Sequence, residues 1–163
     1  MKAEMMQRIT CVGEQVLNWA RQNLGEEVGG YLLLVADYSQ FKAQTFLEFG
    51  SVRPENMSNL VAQLSAVAYT MDGRNDLPTS SLHPIGQDGR PCAGIRSGGF
   101  VIVVAGLPGT TRNEAAAAKI SWGAGMMGDD KDAWQTIKSL SSNRVMSPTP
   151  GFLRGEDSLQ VPL

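Results

Sequence analysis

The chain has few residues of the kinds that bind metal ions or form cross-links. It holds two cysteines, Cys11 and Cys92, and one histidine among 163 residues. Two cysteines are too few for a disulfide framework, and neither belongs to a C-x-x-C pair. A zinc site of cysteine and histidine alone would need all three side chains, at the wrong spacing. We therefore predict two buried thiols in a reducing compartment.

The chain also lacks a basic cluster and a long apolar run. Its net charge is −2 and its pI is about 5.4, which argues against binding to the phosphate backbone of a nucleic acid. No run reaches the ~18 apolar residues of a membrane span. Glu4, Gln7 and Arg8 interrupt the N-terminal segment, which excludes a secretory signal. We expect a soluble, cytoplasmic protein without nucleic-acid or membrane partners.

The hydrophobic content is high enough for one domain with a core. Hydrophobic residues make up 42% of the chain, and we assign residues 1–142 to a single domain. Residues 143–163 form a predicted extended arm, because they combine prolines with apolar side chains that favour burial. These side chains are Phe152, Leu153, Leu159, Val161 and Leu163. We expect the arm to pack on a neighbouring copy, which predicts a homo-oligomer.

Hydrophobic periodicity predicts four helices, the last of them short, and four or five strands. Apolar residues at steps of three and four indicate helices over Met5–Leu24 and Pro54–Met71, and a third is expected over Arg112–Met127. Residues 129–140 predict a fourth, shorter helix. The predicted strands cover residues 31–37, 41–49, 92–96 and 100–107.

The order of these elements predicts an α+β fold. It runs helix, two strands, helix, two to three strands, helix, and a hairpin between helices excludes a doubly wound parallel sheet. We expect a mainly antiparallel sheet of about five strands with the helices packed on one face. This is the architecture of the profilin and roadblock type, with a C-terminal helix and arm added.

A glycine-rich turn joins the last strand to the third helix in VIVVAGLPGTTRNEAAAAKI, residues 101–120. Such turns open many phosphate and dinucleotide sites. This one lacks both G-x-G-x-x-G and G-x-x-x-x-G-K-[ST]. Thr111 and Glu114 have the spacing of a capping box, which favours a plain connection, with an anion at the helix start as the alternative.

Residues 83–118 resemble a known family. The shared pattern is a Pro-aliphatic pair, an Asp-Gly turn, a Gly-aliphatic strand, and an aliphatic strand ending in Gly-x-Pro before an Ala-rich helix. In this chain it comprises His83-Pro84-Ile85, Asp88-Gly89, Ala93-Gly94-Ile95, Val101–Val104, Gly106-Leu107-Pro108 and Asn113–Ala116. This pattern is similar to the haem-binding or haem-degrading family of the GlcG/HbpS type, which includes the C-terminal domain of PduO-like proteins. Members often have Gly-Gly where Leu82-His83 stands.

The resemblance implies a binding domain for haem or another tetrapyrrole. Haem needs an axial ligand and cations for its propionates, so His83 is the candidate metal ligand, and Arg96 and Arg112 are candidate propionate partners. Asn113 and Glu114 occupy the family's position at the start of the last helix. Cys92, Met126 and Met127 are alternative axial ligands, and a lone histidine before a proline is more often a loop residue that caps or faces solvent than a ligand.

No catalytic residue follows from the sequence. A lone histidine defines no Ser-His-Asp triad, and the acidic run Asp129–Asp132 is better explained as a helix start than as a cation site. Two hypotheses remain open. One is a small-molecule-binding domain without demonstrated catalysis, and the other is a non-catalytic interaction or assembly protein of roadblock-like architecture.

Overall fold

The computed structural model describes residues 2–24, 29–35, 44–72, 79–80, 92–97, 100–107 and 110–126. They form helix α1 (Lys2–Leu24), strands β1 (Gly30–Val35) and β2 (Gln44–Phe49), helix α2 (Pro54–Asp72), strands β3 (Cys92–Ser97) and β4 (Phe100–Ala105), and helix α3 (Thr110–Gly123). The predicted α+β class and element order are confirmed. The loop with His83, the predicted fourth helix and the arm at 143–163 lie outside the described residues.

The sheet is antiparallel, with the strand order β2-β1-β4-β3. The described residues form four strands, where the sequence predicted about five. A further isolated bridge joins Thr79 to Ile95 on the outer side of β3. Strands β1 and β4 occupy the centre, where both are buried along their whole length. Such uninterrupted burial requires cover on both faces of the sheet.

Helices cover both faces, so the prediction that they share one face is wrong. One core joins α1 and α3 to Leu32, Leu34, Ile102 and Val104. The other joins α2 to Tyr31, Leu33, Val35, Val101 and Val103. Because side chains alternate along a strand, successive residues of β1 and β4 enter different cores. We call these the α1/α3 core and the α2 core.

Most apolar residues of the helical patterns in α1 and α2 lie in the core. Ile9, Val12 and Val16 of α1 are buried, as are all five inward residues of α2: Leu60, Leu64, Val67, Ala68 and Met71. Of the two thiols predicted to be buried, Cys92 is buried, and the prediction is wrong for Cys11, which is exposed on α1. Met57 and Val61, which belong to the apolar pattern of α2, are exposed. Cys11 lies away from the buried stripe of α1, whereas Met57 lies in the first turn of α2.

The turn after β4 packs against the start of β1. Gly106 has a φ of 118°, a conformation that favours glycine. A Cβ at Gly30 would lie 1.9 Å from the carbonyl oxygen of Ala105, and one at Gly106 would lie 2.5 Å from the Cα of Gly30. Two glycines therefore permit the backbones of β1 and the turn to meet.

Candidate functional site

The start of α3 carries three of the residues that the resemblance assigned to ligand binding. Asn113 and Glu114 are buried, and Arg112 is half-buried. The Asn113 amide bonds the backbone of Leu107 twice: its Oδ1 accepts from the Leu107 N–H at 3.1 Å, and its Nδ2 donates to the Leu107 carbonyl at 2.7 Å. Asn113 thus fastens the turn after β4 to the first turn of α3.

Glu114 reaches a segment that precedes β3 in the chain. The Thr79 hydroxyl donates to its Oε2. Next to it, the Ser80 hydroxyl accepts from the Gly94 N–H at 3.0 Å. Thr79 and Ser80 are fully buried, and their bonds tie residues 79–80 to α3 on one side and to β3 on the other. We call Thr79, Ser80, Asn113 and Glu114 the polar cluster.

Arg96 lies apart from this cluster. Its neighbour Ile95 belongs to the α1/α3 core, so alternation along β3 places Arg96 on the α2 face of the sheet. Two of its guanidinium nitrogens, Nε and Nη2, are buried. The structure therefore does not bring Arg96 and Arg112 to one side, as two cations serving the same propionates would require. His83 lies outside the described residues.

The side chains of the polar cluster hold different segments of the fold together through hydrogen bonds. Its amide, its carboxylate and both hydroxyls bond the protein itself, so each is at least partly engaged in holding the fold. Within the described part of the chain, no three His, Cys, Asp or Glu residues come together as metal ligands. The Leu107 N–H at the turn is likewise bonded to Asn113. Asn113 thus holds Leu107, in the described part of the turn, to the start of α3.

A second surface lies at the β2 edge. Residues opposite one another in a sheet share a face, and Phe46 pairs with Leu33 of the α2 core. Phe46 is nevertheless 51% exposed, with its ring centroid 4.8 Å from that of Tyr31. Helix α2 packs on β1, β3 and β4. The β2 margin of the α2 face thus presents an aromatic ring to solvent.

Tyr31 is buried beside this ring. Only 2% of its surface is exposed, and its hydroxyl has no hydrogen-bond partner among the described residues. Burial, and secondly the negative charge of Glu48, raise the pKa of Tyr31 above its ordinary value of 10.0. Sequence reasoning missed Phe46. The available signal was a phenylalanine at a position where the alternation of β2 assigns polar residues to that face.

Lys119 is the other residue that the sequence analysis missed. It is fully buried in α3, and its Nζ lies 5.5 Å from the centroid of a Trp19 ring. Burial lowers its pKa from 10.5 to about 8, because a charged ammonium is poorly solvated inside the protein. Lys119 thus joins α3 to α1 through an ammonium resting on an aromatic face.

Comparisons with known proteins give no family or function for the chain, so a function must be inferred from the geometry described above. No described helix is both long and apolar enough to cross a membrane. No family model, curated protein or solved structure matches the chain.

Proposed function

We propose that the chain is a non-catalytic interaction protein of roadblock-like architecture that binds a partner along the β2 edge of its sheet. Phe46 carries this proposal, because it is a half-exposed aromatic ring on an edge strand. Aromatic side chains are enriched at protein interfaces, where they bury a large area with little loss of rotamer freedom. The internal bonding of Asn113 and Glu114 also favours a structural over a ligand-binding role for them.

The proposal is tested by placing a photo-crosslinking phenylalanine analogue at position 46 of the full chain in living cells. Tyr69 on α2 provides the matched control, because it is an aromatic residue that is 77% exposed. We expect covalent adducts, identified by mass spectrometry, from position 46 and none from position 69. Equal yields from both positions, or no adduct from either, would contradict an interface at the β2 edge.

We also propose tetrapyrrole binding as a second function, on the basis of the family resemblance carried by residues 83–118. Four polar side chains are buried where α3 starts, and His83 follows Ser80 by three residues in the sequence. The placement of Arg96 on the opposite face leaves Arg112 as the described cation nearest the cluster in sequence.

Haemin titration decides this second proposal. We expect the full chain to give a sharp Soret shift that is lost in His83→Ala. A shift of equal size in both proteins would assign the axial position to another residue, with Cys92 the next to replace. The absence of a specific spectrum in the wild-type protein would overturn tetrapyrrole binding.

A further inference from the structure

Methionines are concentrated in two short segments of the chain that the fold brings together. Five of the eight lie in residues 1–6 and 126–127: Met1, Met5, Met6, Met126 and Met127. Helices α1 and α3 pack on each other, and Arg8 of α1 donates from Nη1 to the carbonyl oxygen of Ala124 at 3.4 Å. The first turns of α1 therefore lie beside the end of α3. We call Met5, Met6, Arg8, Ala124 and Met126 the α1–α3 junction.

Helix α3 ends at this junction in a regular capping motif. The Gly125 N–H donates to the Trp122 carbonyl at 2.9 Å, and the Met126 N–H donates to the Ser121 carbonyl at 3.0 Å. With Gly125 at a φ of 80°, these are the two bonds of a Schellman motif, which is frequently accompanied by an apolar side chain at the position of Met126. Met126 is buried in the α1/α3 core. The end of α3 thus gives α1 a fixed surface to pack on.

Met5 and Met6 lie where the buried stripe of α1 reaches solvent. Further along the helix this stripe is fully enclosed, at Ile9 and Val16. Met5 and Met6 pack against the same α1/α3 core but are only half-buried. Their side chains therefore contribute to the core and still meet the solvent.

We propose that Met5 and Met6 form a reversible oxidation site for peroxides, at which sulfoxide formation loosens α1 from α3. A sulfur lone pair attacks one oxygen of hydrogen peroxide, so that an S–O bond forms as the O–O bond breaks. The proton of the transferred hydroxyl leaves with the departing hydroxide as water, and the two electrons lost by sulfur reduce the peroxide. A sulfoxide is polar, so its return to the apolar junction costs its hydration.

The described methionines of α2 each have one of the two properties that such a site needs. Met57 is 42% exposed in the first turn of α2, so its oxidation adds a polar group to the surface. Met71 is fully buried in the α2 core, where peroxide does not reach it. Met5 and Met6 combine access to solvent with packing on a core, which couples their oxidation to the stability of the fold.

The experiment treats the full chain with hydrogen peroxide, follows each sulfoxide by peptide mass spectrometry, and measures Tm after the peroxide is removed. We expect sulfoxide at Met5 and Met6 to lower Tm by roughly 4–8 °C and to speed amide exchange in the first turns of α1. Methionine sulfoxide reductases A and B together should restore both values. Dithiothreitol alone should not, which separates this effect from oxidation of the exposed Cys11 thiol.

Leucine substitutions give the matched variants, because leucine has about the volume of methionine and no sulfur. The double variant Met5→Leu/Met6→Leu should keep its Tm under peroxide, whereas Met57→Leu should lose as much as the wild-type protein. An equal loss in the double variant would overturn the proposal.

The wild-type chain alone also tests the proposal, whether or not the double variant folds. Its Tm must fall in proportion to the sulfoxide at Met5 and Met6. Three results would overturn the proposal: Met57 oxidised in the folded protein while Met5 and Met6 are not, Met5 and Met6 oxidised with Tm unchanged, or a fall in Tm that the reductases do not reverse.

Discussion

At the scale of single residues, Asn113 has the largest expected effect on stability among the predicted site residues. Its side chain satisfies both the N–H and the carbonyl of Leu107, and it is fully buried. Asn113→Ala leaves two backbone groups without that partner, so we expect the free energy of unfolding to fall by about 2–4 kcal/mol. Urea unfolding measures the change.

Asn59→Ala is the matched control for this substitution. Asn59 is exposed on α2, and its Oδ1 accepts a bond at 3.2 Å from Gln63 one turn later. A surface pair of this kind contributes little, and its loss should cost less than about 0.5 kcal/mol. Equal effects of the two alanine substitutions would show that Asn113 does not fasten the turn.

Lys119 makes the stability depend on pH. Its folded pKa of about 8 lies below the ordinary 10.5, so the unfolded chain binds the proton more tightly. We therefore expect the free energy of unfolding to rise as the pH increases through 8, by roughly 1 to 2 kcal/mol up to pH ~9.5, and to change little below pH ~7. Lys119→Met keeps the shape of the side chain without a proton and should abolish this rise.

Unfolding curves at several pH values test the sign directly. Measurements stay below pH ~9.5, because the raised pKa of Tyr31 acts in the opposite direction once the unfolded tyrosine ionises. A wild-type stability that falls between pH 8 and 9.5, or a rise that persists in Lys119→Met, would show that burial does not depress the pKa of this lysine.

At the scale of elements, the junction of β1 with the turn after β4 has no space for a methyl group. A Cβ on Gly30 would meet the backbone of Ala105, which cannot move without breaking the sheet, so Gly30→Ala should cost about 3 kcal/mol. Gly13 in α1 is the contrast: its Cβ would lie 3.1 Å from Leu32 Cδ1, the flexible end of a side chain. Gly13→Ala should be neutral or stabilise the helix by up to ~1 kcal/mol.

Thermal melts of the two variants distinguish a steric clash of the added methyl group, expected at Gly30, from the change in helix propensity expected at Gly13. We expect a large fall in Tm for Gly30→Ala and little change for Gly13→Ala. A small, similar change in both would mean that β1 and the turn do not meet as closely as described.

Local patterns predicted most elements, because each leaves a periodic signal in its own segment. Helices α1 and α2 follow from apolar steps of three and four, and the strands follow from short apolar or alternating runs. The covering of both sheet faces was missed, although the unbroken apolar runs of β1 and β4 are typical of strands buried on both sides. Whether Phe46 is exposed and Lys119 is buried depends on how the helices pack on the sheet. The sequence of one segment alone does not show this packing.

The contacts of the candidate site could not be predicted from local sequence patterns, because they join segments that are separate in the sequence. The sequence placed Asn113 and Glu114 at the start of a helix, where they lie. Their partners are Leu107 and Thr79, of which Thr79 is 35 residues distant. The spacing that suggested a capping box for Glu114 could not show that its carboxylate reaches a separate segment.

At the scale of the whole molecule, the C-terminal arm is the surface that the sequence predicts to hold copies of the chain together. The sequence predicts assembly through the arm, whose five large apolar side chains contribute roughly 1.5–3 kcal/mol each if fully buried. Deletion of residues 147–163 should then lower the oligomeric mass or the melting temperature, as measured by light scattering and thermal melts. Unchanged values for both would exclude a structural role for the arm and leave β2 as the proposed interface.

The strand order β2-β1-β4-β3 also bears on when the chain can fold as it leaves the ribosome. Val35 of β1 pairs with Gln44, which is made soon after it, and with Val101, which is made much later. Until β4 and α3 emerge, β1 has one neighbour and an incomplete α1/α3 core, so much of the first half stays open to aggregation. The described sheet can therefore be completed only after β3 and β4 have been made.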